Sequence, residues 1–307
     1  MTYSGFSQNE ELESLIIELT FEKSDSIKIK TASKIIKLLY ETKAYDRSLK
    51  YIIETERLSE ELNDTRGSAE MAYFKALIYN KKDDYINAAA QFIRATTIYG
   101  KLRDTLALAK IKNHVGAIEI ERGNYSKGLK FVLDGIDELE KHDLQEELIL
   151  GYHGPATAYE KINVIEKAID YHLKSIDIQE ELNDIEGLVK SHTNLAHLYY
   201  NKKNFKRSIR YYENALNYVK DSNDTLRAII LPELGEAYLR IGDYKLAADY
   251  LVLGIKLNRR LKDLDGIIKS LNNLGALNLA EKQYKIAEKQ LQEAQSIAKK
   301  KITSKRF

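Results

Sequence analysis

The 307 residues are 44% apolar and 31% charged, with only two prolines, enough chain for a large core but too little turn material for a β-sandwich. The absence of cysteine excludes disulfides, thiol catalysis and cysteine-held metals. A formal charge of +2 supplies no global field for nucleic acid or an anionic membrane.

At the start of the chain, MTYSGFSQNEELES lacks a basic stretch followed by an apolar run, so no signal peptide is expected. No segment approaches the roughly 18 apolar residues that span a bilayer. A cytoplasmic protein with no membrane and no nucleic-acid partner is the expectation. Residues 9–22, NEELESLIIELTFE, predict an amphipathic helix within an N-terminal capping segment, residues 1–24.

A repeat then fills residues 25–301. A bulky residue follows each polar turn at Tyr45, Tyr85, Tyr125, Ile165, Phe205, Tyr244 and Tyr284, at intervals of 40 residues with one of 39. An acid closes each unit at Asp64, Asp104, Asp143, Asp184, Asp224 and Asp263, and EELND at Glu60–Asp64 recurs at Glu180–Asp184. Unit boundaries are expected near these acids. Each unit reads as two helices, such as IEGLVKSHTNLAHLYYN (Ile185–Asn201) and FKRSIRYYENALNYVKDSN (205–223). The closing Asp is suited to N-cap the first helix of the next unit.

Small residues recur where helices must approach. They stand three after each bulky residue (Ser48, Ala88, Gly128, Ala168, Ser208, Ala247, Ala287) and ten after it (Thr55, Ala95, Gly135, Ser175, Ala215, Gly254, Ala294). Nine before it stand Ile36, Ala76, Gly116, Ala156, Ala196, Gly235 and Gly275, small in all but the first. The bulky residue is expected to fill the gap that a small side chain leaves.

NLAHLYYNKKNFKRSIRYYENAL and ELGEAYLRIGDYKLAADYLVLGI resemble the tetratricopeptide repeat, with its small residue, aromatics, and later Ala, aromatic and Ala. The usual period is about 34 residues; forty resembles the longer variant of kinesin light chains, LGN-type adaptors, Rap-type regulators and bacterial sensor proteins. The resemblance implies an all-α, right-handed superhelical solenoid of seven helix-turn-helix repeats with an extra N-terminal helix. It further implies that first helices line a concave groove and that the protein is a non-catalytic interaction module.

At 100° per residue, a wheel about the small residue of each first helix gives the expected groove wall. Tyr73, Phe74, Asn113, His114, His153 and Glu160 line its first part, then Lys190, Asn194, His197 and Tyr200. Glu233, Glu236, Arg240, Lys269, Asn272 and Asn273 complete it. An Asn amide both donates to and accepts from a peptide backbone. Asn113, His153, Asn194, His197, Tyr200, Arg240, Asn272 and Asn273 are the candidate peptide-binding residues.

Histidines in successive first helices, roughly 10 Å apart, are badly spaced for one ion, so neither metal nor cofactor is expected. Tyr79, Tyr159, Tyr199 and Tyr238 fall on the core arc. Pro155 and Pro232 interrupt two first helices and predict local kinks. KITSKRF ends in a basic tail, residues 302–307. With about 25 residues before the repeats, the resemblance reaches only the sensor part of Rap-type proteins. A signalling adaptor or sensor part that binds a peptide or extended segment is the leading expectation. The alternative is a structural scaffold that self-associates through its terminal repeats. No phosphate loop, nucleophile elbow or HExxH motif is present.

Overall fold

The computed structural model describes residues 3–219 and 223–304, and every regular element among them is an α-helix. Two compact units divide the chain: Met1–Ile118 with Lys130–Leu144, and Glu119–Leu129 with Gln145–Phe307. In the first unit lie α1 (Tyr3–Phe21), α2 (Asp25–Glu41), α3 (Tyr45–Glu61), α4 (Thr65–Lys81), α5 (Tyr85–Lys101) and most of α6 (Thr105–Glu121) and α7 (Tyr125–Lys141). The second holds α8 (Gln145–Lys161), α9 (Ile165–Glu181), α10 (Ile185–Asn201), α11 (Phe205–Val219) and α12 (Asp224–Ile241). It continues with α13 (Tyr244–Leu261), α14 (Leu264–Ala280) and α15 (Tyr284–Ser304). The expected first helix Ile185–Asn201 is α10 to the residue, while the expected end of α11, 220–222, lies outside the described residues. So do residues 1–2 of the N-terminal segment and 305–307 of the basic tail.

Each hairpin turns on a left-handed residue two before the bulky position. Lys43, Asp83, Asn163, Lys203 and Lys282 take positive φ there, and Gly123 and Gly242 supply it without a Cβ to strain. A second left-handed residue precedes five of the following hairpins: Asn63, Arg103, Asp143, Asn183 and Lys262. Asp64, Asp104 and Asp184 then accept a hydrogen bond from the backbone N–H three residues on, as N-caps. Asp263 accepts from the N–H of Asp265.

Two closing acids depart from that expectation. Asp143 is itself the left-handed residue, at φ 50°, and α8 begins two residues later. In the sixth hairpin Asn223 caps α12 through the N–H of Leu226, leaving Asp224 in the first turn to pair with Arg260 of α13.

The small positions are buried as expected, but the residue that fills the gap is a different one. The bulky residues of the forty-residue ladder sit at hairpin edges, with Tyr85 42% and Tyr284 63% exposed. The core partner comes seven residues later: Ile52, Phe92, Val132, His172, Tyr212 and Leu251 are at most 8% exposed, and only Leu291 of the last hairpin keeps 37%. One helical repeat of two turns separates the two positions, and only the second points at the facing first helix. A Cβ added at Gly235 would stand 2.7 Å from Leu251, and one at Gly275 2.7 Å from Leu291, which explains why a glycine holds the small position there. Ser48 and Ser208 close the same contact with a hydroxyl that donates to the carbonyls of Ile36 and Ala196.

Both prolines are buried inside helices that continue past them. Pro232 lies against Gly254 of α13, where a Cβ would stand 3.3 Å from its ring. Tyr159, Tyr199 and Tyr238 are in the core, at 9%, 7% and 8% exposure, whereas Tyr79 is half-buried. Among the described residues, no helix is long and apolar enough to cross a membrane.

Candidate functional site: a polar wall on the first helices of the second unit

The second unit sets α10, α12 and α14 side by side, with α12 packed against both neighbours. One carboxylate joins them. Glu236 of α12 accepts a 2.6 Å hydrogen bond from the Tyr200 hydroxyl of α10 and lies 3.4 Å from the Asn273 amide nitrogen of α14. Arg240, one turn further along α12, donates its Nε to the Tyr200 oxygen at 2.7 Å and faces the same carboxylate at 3.5 Å. Lys269 of α14 lies 2.5 Å from Glu233 and 3.6 Å from Glu236.

Both carboxylates are sunk, with side chains 18% exposed, while Arg240 and Lys269 keep 53% and 39%. Burial alone would raise the Glu236 pKa. The Tyr200 hydroxyl, Lys269, Asn273 and Arg240 more than offset it and hold the carboxyl below its usual range. The same burial and the same carboxylate push the Tyr200 hydroxyl up. An ionised Glu236 hydrogen-bonded by a neutral phenol is therefore the resting state at neutral pH.

On α10, the Tyr212 hydroxyl of α11 bonds the Nδ1 of His197 at 2.9 Å, and Tyr212 itself is 1% exposed. This fixes the imidazole edge-on to the tyrosine ring. Phe205 packs edge-on against Tyr200 at 5.2 Å. Asn194 is half-buried on the same helix, and Asn272 of α14 is exposed.

Tyr200, Arg240 and Asn273 are thus brought together by Glu236, and His197 stands one turn before Tyr200 on the same helix. His153 belongs elsewhere. It is half-buried on α8 and held near pKa 4 by burial and by Lys190. His172 of α9 is 2% exposed, its Nε2 has no hydrogen-bond partner, and its pKa is likewise about 4, from burial, His153 and Lys190. His192 of α10 stacks on Tyr218 at 5.4 Å and Tyr211 at 5.8 Å.

In the first unit two wall expectations are corrected. Asn113 is 1% exposed, and Phe74 is 9% exposed within a cluster with Ile36, Ala72 and Phe92. The wheel put both outside the core arc, but neighbouring first helices pack edge to edge and cover part of that arc. Tyr73 packs against Phe74, Phe92 and His114 at 5.6–6.4 Å. Among the described residues, no three of His, Asp and Glu are grouped to hold a metal ion.

Sequence reasoning missed a further set of polar residues, although their spacing repeats. Ser59, Gln179 and Asn258 each stand five before a capping acid and are buried against Gly67, Gly187 and Gly266 of the next first helix. A Cβ at Gly67 would lie 2.6 Å from the Ser59 hydroxyl, and one at Gly187 2.6 Å from the Gln179 amide. The signal was a glycine three residues into a helix, where a side chain is otherwise favoured.

In the second unit, helical hairpins whose first helices α10, α12 and α14 abut present a polar wall on that set of helices. The family model of the tetratricopeptide repeat matches residues 187–260. No curated protein matches the chain. Solved structures with the same fold include the apo form of RapI, at 14% identity and TM-score 0.59, covering 76% of this chain and 99% of that one. PilF of Pseudomonas aeruginosa matches at 12% identity and TM-score 0.60, over 80% of this chain and 97% of its own. A signal-transduction ATPase from Pyrococcus horikoshii with a tetratricopeptide-repeat sensor matches at 18% identity and TM-score 0.58, over 94% of this chain and 42% of its own. The fold is thus an all-α helical-repeat array similar to those of tetratricopeptide-repeat proteins.

Proposed function

We propose that this chain is a non-catalytic, cytoplasmic module that binds an extended peptide segment along α10, α12 and α14, as the sensor or adaptor part of a signalling system. The observation that carries the reading is the Tyr200–Glu236–Asn273 network. Three successive first helices share one half-buried carboxylate, which holds aromatic, cationic and amide groups together on a single wall. Pre-set polar groups bind an extended chain at lower entropic cost than mobile ones. Asn194 and Asn272 flank the network with amides suited to a peptide's N–H and C=O. The likeness to an ATPase whose repeats are described as a sensor agrees with a sensing role.

The test is the double variant Asn194→Ala, Asn273→Ala, compared with wild type by calorimetric titration against a partner purified by pull-down. Each lost amide bond is worth about 0.5–1.5 kcal/mol, so affinity is expected to fall about tenfold. Unchanged affinity would remove the wall from the binding site. A second reading, a scaffold that self-associates through its C-terminal repeat, is favoured by α15, where Tyr284, Ile286 and Ile302 are at least 50% exposed. A mass that grows with concentration and reverts on Ile286→Glu would establish it.

A further inference from the structure

The longest stretch of one charge sign in the second unit starts on the wall helix α10 and runs on through the turn into α11. Between Gly187 and Tyr212 the chain carries Lys190, Lys202, Lys203, Lys206, Arg207 and Arg210 and no acid. Five of these cations follow one another through the α10–α11 turn and the first turns of α11, and all five are exposed. On α11, Lys206 or Arg207 and Arg210 stand three or four residues apart, which sets them on one stripe, and Lys203 stands in the turn just before it.

The partners already on the page do not neutralise that stripe. Lys202 pairs with Glu166. Arg207 lies over the Tyr199 ring, 5.3 Å from its centre, and donates to the Tyr199 hydroxyl at 3.3 Å. This contact holds the guanidinium in place without a counter-charge. Among the described residues no carboxylate is hydrogen-bonded or ion-paired to Lys203, Lys206 or Arg210. The nearest acid along α11, Glu213, accepts the Tyr238 hydroxyl at 2.5 Å.

We infer that the α10–α11 hairpin is a second docking surface, distinct from the polar wall, and that it takes a short acidic segment of a protein partner. The width of the patch selects this occupant. One repeat earlier the positions of Lys206 and Arg210 are held by Glu166 and Asp170, around Lys167; one repeat later Lys245 keeps the charge of Lys206, but Leu246 and Asp249 hold the positions of Arg207 and Arg210. The positive field is therefore one hairpin wide, about 10 Å to either neighbour, and bounded by carboxylates. A nucleic acid, with a phosphate charge every few ångströms, would run across those acids. A few consecutive Asp or Glu residues crossing a single hairpin would not. The held Arg207 guanidinium supplies a planar fork for one carboxylate, and the lysines supply point charges for the others.

The experiment uses the full chain, with a fluorescein-labelled oligoglutamate peptide and a labelled oligothymidylate of equal charge as probes, read by anisotropy across a salt series. Oligoglutamate is expected to bind with an affinity that falls steeply with salt. The triple variant Lys203→Glu, Lys206→Glu, Arg210→Glu is expected to bind it at least about tenfold more weakly, whereas Lys245→Glu on the next hairpin leaves binding unchanged. Should circular dichroism show that the triple variant has lost its helices, the variant with Gln at the same three positions replaces it, with a smaller loss expected. No oligoglutamate binding by wild type, or equal binding by the charge variants, would overturn the inference. Tighter binding of oligothymidylate would overturn it in favour of nucleic acid.

Discussion

The two units are built from the same repeat but spend their buried charge in different places. In the first, Glu56 of α3 is ion-paired with both Lys75 of α4 and Arg94 of α5, and the carboxylate and lysine side chains are 12% and 15% exposed. That trio lies between the helices of neighbouring hairpins and presents little to a ligand. In the second, Glu236 is shared by α10, α12 and α14, and its cationic partners stay half in water. One repeat template can therefore use a half-buried carboxylate either to hold hairpins together or to furnish a wall. Which of these occurs depends on the accessibility of the partners.

The sharpest way to break the comparison is to empty the core of one unit and watch the other. Tyr212→Ala removes a side chain that is 1% exposed together with the group that fixes His197. It is expected to cost about 3–5 kcal/mol. Because repeat stability is a sum over neighbours, hydrogen exchange should accelerate through α10–α12 and remain slow in α2–α4. Uniform acceleration would mean that the units unfold as one.

Acidification should separate them next. His153 and His172 have folded pKa values near 4, below the ordinary value of about 6.5. A depressed histidine contributes stability that is complete above the unfolded value and is lost as pH falls through the folded one. The second unit should therefore weaken between about pH 6.5 and 4, and His172→Leu should flatten that window in urea titrations followed by circular dichroism. A slope identical to wild type would show that the imidazole is not the group responsible.

Glu56→Ala strands Lys75 in a site that excludes most water, and about 1–3 kcal/mol is expected. Glu236→Ala leaves Arg240 and Lys269 able to rehydrate, so about 0.5–1 kcal/mol is expected. Equal costs in chemical denaturation would erase the distinction between a binding wall and an inter-hairpin clasp. The smallest effect tests the helix starts: Asp184→Ala should cost about 1 kcal/mol as a lost N-cap, while Asp143→Gly should cost nothing, since that residue is left-handed and caps no helix.

The forty-residue spacing, the small positions and four of the six closing acids as caps were legible because each is a local or periodic property. A helix start needs only its cap, and a wheel needs only the helical angle. The core partner of each small residue was harder to read. Bulky residues stand both at the hairpin edge and seven positions on, two turns along the same helix, and the spacing favours neither. His172 shows the difficulty: it occupies the position of Phe92 and Tyr212, and a histidine in isolation does not read as core.

The sequence by itself determined that this protein is a chain of forty-residue helical hairpins, because the apolar period, the caps and the turn residues act within one or two helices. Only the tertiary structure decided that Asn113 and Phe74 are covered and that Tyr200, Glu236 and Asn273 meet. Those outcomes depend on how closely one first helix approaches the next, a distance set jointly by side chains some forty residues apart.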